Sequence, residues 1–439
     1  MSAARRNAGL VGAATALLFF AVIIASRMYA LTTIISANAI SVRPGDYALA
    51  AAWAMVLCGI LFFMPVEAAE RGALTAVWTI KAAVSLGLMW FYERHYGKAL
   101  DAYGYFSCAA NPRFTFRGLE YGSRDNLLIE LIHLHTLIIP NSYDAVKIGF
   151  SFIGLIAVFL FYRAAVIFLA KDDIRIFYIL ALYPAILFWS SILGKEPITF
   201  LGMALFAYGA VGSWRRGGLK HFAAVFAGML FVGVIRIWLV YIMVLSLAVM
   251  FVITKGKKLC VKAVFVADVL VGLFLVLNRT VSRTFGVRSG AAPGTSLETV
   301  GEMLNLRSRL ANTAFSGGGS SLQPPAIHSL HGLILHAPAA VFDAFFRPLP
   351  GDVKGIWGLL GSIDGVVLPA LLLIAVTRTR LKEIKDPLII GAILFLFAWG
   401  GMYGLTVYNY GALVRYRLQI LPMFLLLLLY LSRKRPKVG

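Results

Sequence analysis

Residues 143–169 read YDAVKIGFSFIGLIAVFLFYRAAVIFL, a run longer than the roughly 20 residues an α-helix needs to cross the hydrocarbon core of a bilayer. It is continuously apolar, whereas a strand of a transmembrane barrel would alternate in polarity. Similar runs recur on both sides of it. The expected spans are 8–27, 47–65, 72–92, 143–169, 175–193, 197–213, 221–235, 237–254, 259–277, 355–377, 387–405 and 412–431. Composition agrees: of 439 residues, 60% are hydrophobic and 14% charged, with mean hydropathy +0.82, while a soluble domain is nearer half apolar and a quarter charged. The predicted fold is therefore all-α, a polytopic transmembrane helical bundle of about twelve spans. It forms a single integral membrane domain, 1–439, with two long extracytoplasmic loops, 93–142 and 278–354, that bear interfacial helices.

The net charge of +21 would suit a nucleic-acid partner, but its placement argues for topology and against nucleic acid. Arg5-Arg6, Lys171 to Arg175, Arg215 to Lys220, Lys255 to Lys258, Arg378 to Lys385 and Arg433 to Lys437 all fall on one side of the twelve-span arrangement. The positive-inside rule makes that side, and both termini, cytoplasmic. Arg5-Arg6 ahead of Leu10 to Ala25 also suits a signal peptide; a retained first span is expected because further spans follow. The pair within 221–254 is short for two crossings and reads as a hairpin turning at Arg236-Ile237-Trp238. Of Cys58, Cys108 and Cys260, only Cys108 falls in an outer loop, so no disulfide framework is implied.

The first long loop is polar and aromatic and carries Asp101-Ala102-Tyr103, with Glu93, Arg94 and His95 just before it. A carboxylate there suits a base that takes a proton from a hydroxyl; an ion pair with Lys98 or Arg94 is the alternative. Residues 126–139 look amphipathic and suited to roofing a cavity, as do 327–346 in the second loop, after the flexible tract Ser316 to Ser321. Arg236 in an apolar stretch needs a partner, a cavity or an interface to snorkel to. Lys195 in Gly194-Lys195-Glu196-Pro197 stands outside against the charge bias, pointing to an anionic ligand or to compensation by Glu196. Arg415-Tyr416-Arg417, and Arg347 beside Pro348 and Pro350, offer forked donors for phosphate oxygens or interfacial anchors. His133 and His135, two apart, point to different faces of a helix and make a poor metal pair. No phosphate-binding glycine loop, nucleophile elbow or Cys-x-x-Cys occurs. No cofactor is called for, and a divalent metal stays open.

This layout resembles the GT-C class of polytopic glycosyltransferases, which take sugars from polyprenyl-phosphate carriers. The resemblance is carried by Asp101-x-Tyr103, by Ser142 to Ala165, by Tyr183-Pro184 to Tyr208 with Gly194-Lys195-Glu196, and by Arg415-Tyr416-Arg417 with Leu421-Pro422. It implies a bacterial inner-membrane enzyme acting outside the cytoplasm on a glycan, lipid or protein acceptor. Asp101 would be the catalytic base, and Tyr103, Lys195, Glu196, Arg236, Arg347, Arg415 and Arg417 would meet the substrate and its phosphate. Two departures matter: the acidic loop follows the third expected span instead of the first, and Ala102 stands where a paired acid is usual. Glu93, Glu120 and Asp125 are therefore alternative bases. Two other functions fit the same layout, a polysaccharide polymerase or ligase relying on arginines, and a transporter of lipid-linked saccharides, though no inverted repeat is evident.

Overall fold

The computed structural model describes residues 44–96, 100–111, 114–115, 125–139, 142–254, 330–353, 355–407 and 409–433. Among them the chain is helical, without a strand. Among the described residues seven helices are long and apolar enough to cross a membrane, or eight if one bent pair counts as a span. A helical membrane protein is thus what the apolar runs produce, because a helix satisfies its own backbone donors and acceptors where water is absent.

The chain divides into two compact units, the first ending at Ile237 and the second beginning at Trp238. The first contains α1 (Pro44–Phe63) and α2 (Ala68–Tyr96), the latter with a π-helical stretch at Val84–Leu88. Two short helices follow, α3 (Asp101–Ala109) and α4 (Asp125–Ile138), and then α5 (Tyr143–Leu169). Helices α6 (Ile174–Leu182), α7 (Pro184–Trp189) and α8 (Lys195–Arg215) come next. Around α5 pack α1, α2, α6 and α8. Its start is specified locally: the Ser142 hydroxyl accepts from the Ala145 amide at 3.0 Å and donates to Asp46 on α1.

Helix α9 (Leu219–Ile253) leaves helical geometry at Arg236 (φ −139°, ψ 71°), the position expected for the turn of a hairpin. The second unit further contains α10 (Leu330–Phe346), α11 (Ile356–Gly361), α12 (Asp364–Arg378), α13 (Leu381–Ile384), α14 (Pro387–Thr406), α15 (Tyr410–Arg417) and α16 (Leu421–Ser432). Helices α10 and α14 pack so closely that a Cβ on Gly404 would collide with the Ala340 carbonyl, the small-residue contact by which membrane helices approach.

Four of the expected spans differ in form from a straight helix. The 175–193 span is broken, because Tyr183 before Pro184 is extended (ψ 124°), as the residue preceding a proline prefers. The 412–431 span bends by 66° between α15 and α16, ahead of Pro422 at the start of α16. The pair 221–235 and 237–254 shares one interrupted helix, α9. The 8–27 and 259–277 spans lie outside the described residues, as does most of the second long loop. The two expected amphipathic segments, 126–139 and 327–346, contain helices α4 and α10.

Candidate functional site

Six of the nine sequence-selected residues belong to the first unit, and helix packing gathers them. A shared apolar cluster holds their elements together: Leu127, Leu128 and Ile132 of α4, Tyr143, Val146 and Phe150 of α5, and Leu193, Ile198 and Ile235, with Tyr103, Tyr105 and Phe106 of α3 packed against it. The polar groups stand on that cluster in three connected sets.

The first set is closed. Lys147, fully buried one turn into α5, pairs with Glu93 at 3.0 Å and with Asp144 at 2.8 Å, and the Tyr143 hydroxyl donates to Glu93 at 3.0 Å. Two carboxylates and one ammonium at 0–10% side-chain exposure form a network in which each charge depends on the others. Glu93 is thereby committed to holding α2 against α5. Tyr103 stacks on the Tyr143 ring, with centroids 4.5 Å apart, which docks α3 over this network.

The second set is open. The Tyr105 hydroxyl donates to Asp125 at 3.0 Å, Asp125 pairs with Lys195 at the first position of α8, and the Lys195 ammonium lies 5.5 Å from the Tyr105 ring centre. Asp125 keeps 53% and Lys195 23% of its side chain exposed, so both remain reachable by a ligand. Burial, with the charges of Asp125 and Asp101, pushes the Tyr105 phenol well above its usual range, so it stays a hydrogen-bond donor. Asp101 is exposed at the first residue of α3, where the helix N-terminus favours an anion.

The third set links α8 to the break in α9. Arg236 reaches Glu196 at 3.5 Å, and both side chains are about 95% buried, so Arg236 points into the protein and does not snorkel to an interface. Arg236 stands where α9 leaves helical geometry, so the ion pair joins the start of α8 to that interruption.

The remaining three residues lie in the second unit. Arg417 is completely buried and engaged on all three guanidinium nitrogens: Nε donates to the Ala344 carbonyl at 3.1 Å, Nη1 to Asp364 at 3.2 Å, and Nη2 to the Arg347 carbonyl. Arg347 pairs with Asp343 at 3.1 Å and Asp352 at 3.4 Å and donates to the Tyr410 hydroxyl at 2.9 Å. Arg415, partly exposed, stands 5.5 Å from the Tyr416 ring centre.

The histidines separate as their spacing implied. His133 Nδ1 lies 3.0 Å from the Ala109 carbonyl, while His135 meets the edge of Trp53 at 5.8 Å, and burial lowers the His135 pKa. Among the described residues no group of three His, Cys, Asp or Glu is arranged to hold a metal ion. Glu120 and Cys260 lie outside the described residues. Sequence reading passed over Tyr105, Tyr143, Asp144 and Lys147; the available signal was a charged pair three residues apart at the start of an apolar run, Asp144 to Lys147. The chain matches no known protein family, no curated protein and no solved structure.

Proposed function

We propose that this protein is a membrane glycosyltransferase of GT-C type that moves a sugar from a polyprenyl-phosphate carrier to a hydroxyl of a glycan, lipid or protein, on the extracytoplasmic face of a bacterial inner membrane. The topology that goes with it has twelve crossings, both termini in the cytoplasm, and the loops 93–142 and 278–354 outside. Twelve is reached when α6 with α7, the two halves of α9, the bent α15–α16 pair and the stretches 8–27 and 259–277 each count as crossings.

One observation carries the reading. An exposed carboxylate, Asp101, and a reachable cation, Lys195, sit around one phenol, Tyr105, at the ends of apolar helices. That set contains a base for an acceptor hydroxyl and a positive charge for a leaving phosphate. In the reaction the acceptor oxygen gives its proton to Asp101 and attacks the anomeric carbon. The bond from that carbon to the phosphate oxygen breaks, and the carrier phosphate leaves with the electron pair. Lys195 stabilises the charge that develops there, with Arg236 and Glu196 fixing the first turn of α8, a preorganised electrostatic contribution of the kind that dominates many rate enhancements. Tyr103 holds α3 in place through Tyr143. In the second unit Arg347 and Arg415 are partly exposed, whereas Arg417 is taken up by Asp364 and two backbone carbonyls.

The test is transfer of labelled sugar from a polyprenyl-phosphate donor in nanodiscs. Asp101→Asn should reduce transfer by at least about 100-fold, the usual contribution of a positioned base, with the protein still folded and inserted. Full activity in that variant moves the base elsewhere, and absence of transfer by the wild type with every carrier-linked donor tried rejects the reading.

A further inference from the structure

Lys81 lies in the middle of an apolar helix, α2, and its side chain is completely buried. A lysine at such depth needs partners for three N–H donors, and each lies within one turn of chain between α7 and α8. Its Nζ is 2.6 Å from Ser190 Oγ, 2.8 Å from Ser191 Oγ and 3.1 Å from the Ser190 carbonyl. Both serine hydroxyls donate their own protons backward, Ser190 to the Ile186 carbonyl at 2.5 Å and Ser191 to the Leu187 carbonyl at 2.6 Å, so they meet the ammonium with lone pairs. Four residues further along α2, in its π-helical stretch, Ser85 donates to the Ser191 carbonyl at 2.8 Å. On the opposite side α5 closes the space, since a Cβ on Gly154 would collide with the Ser190 carbonyl.

The turn held in this way runs through Leu193 to Gly194 and ends at Lys195 and Glu196. Those are the two α8 residues that pair with Asp125 and Arg236. We infer that Lys81 is a positioning residue: its ammonium pins the Ser190–Ser191 turn and thereby sets where Lys195 and Glu196 present their charges. The inference rests on the proposed transfer reaction only for what Lys195 and Glu196 then do.

The experiment is site-resolved hydrogen–deuterium exchange on the full-length protein in nanodiscs. Lys81→Met keeps the volume and removes the ammonium; exchange over residues 190–199 should rise about tenfold or more, with Pro387–Thr406 unchanged. Should that variant fail to insert, Ser191→Ala removes one acceptor, leaves the charge, and should raise exchange over the same residues by a smaller factor. Unchanged exchange over 190–199 in a folded variant, or an equal rise over 387–406, overturns the inference. Where the wild type transfers sugar, Lys81→Met should lower kcat more than it raises the donor KM, because Lys195 acts on charge that develops in the transition state, and an unchanged kcat in a folded variant overturns the inference as well. A wild type that transfers nothing rejects the glycosyltransferase reading and leaves the exchange result to decide the role of Lys81.

Discussion

Arg417 in the second unit and Lys195 in the first are both cations near helix ends in an apolar chain, yet the structure uses them in opposite ways. Arg417 is wholly enclosed, with Asp364 and two backbone carbonyls taking its guanidinium. Lys195 is partly open, and its acidic partner Asp125 is half exposed. A cation enclosed by its own fold has spent its donors on holding helices together; one left at an open edge keeps part of its charge for a ligand. A basic residue at a helix end therefore does not by itself mark a phosphate site, and its surroundings decide which of the two it is.

The sharpest way to break this contrast is Arg417→Met. It strands Asp364 in the interior and should cost about 3–5 kcal/mol, read as a large fall in thermal unfolding temperature in detergent. A variant as stable as the wild type would remove Arg417 from the scaffold and return it to the list of phosphate ligands. Tyr105→Phe probes the open side. Losing one partly exposed hydrogen bond should cost about 1 kcal/mol or less of stability, while transfer from a polyprenyl-phosphate donor falls by a much larger factor. Stability and transfer falling in parallel would mean that the Tyr105–Asp125–Lys195 set is scaffold too.

The smallest effect concerns His135. Its pKa is lowered by burial, so the unfolded chain takes up the proton first as the solution is acidified. The stability associated with neutral His135 is complete at pH above about 6.5 and is lost as the pH falls from there through the lowered folded value. Unfolding temperatures measured from pH 7.5 to 5 should therefore drop less steeply in His135→Gln than in the wild type. Equal slopes would show that the ring stays solvated, and that the α4 edge is more open than its packing against Trp53 implies.

Much of the helical layout could be read along the chain. The 143–169 run is a helix with those same bounds, and α9 leaves helical geometry at Arg236, where a turn was expected; the break at Tyr183-Pro184 inside the expected 175–193 span was passed over. The candidate site was legible in part. Asp101, Tyr103, Lys195 and Glu196 stood out because they sit in polar punctuation between apolar runs. Lys81 did not, because a single cation inside an apolar run looks the same whether it is caged or not, and Lys147 was passed over although Asp144 stands three residues before it. Their partners lie far along the chain, Glu93 at a separation of 54 residues from Lys147 and Ser190 at 109 from Lys81.

What this sequence determined by itself is a helical membrane protein and the positions of most of its helices. Span length and backbone hydrogen bonding are local properties, and in a medium without water they leave the helix as the form these runs adopt. Which charges close on one another and which stay open was decided only when the helices packed. The rotation of each helix about its axis and its closeness to its neighbours place a side chain against a partner or at an edge, and short range along the chain carries neither. Asp364 waits for Arg417, and Ser190 for Lys81, at positions that only the assembled units bring together.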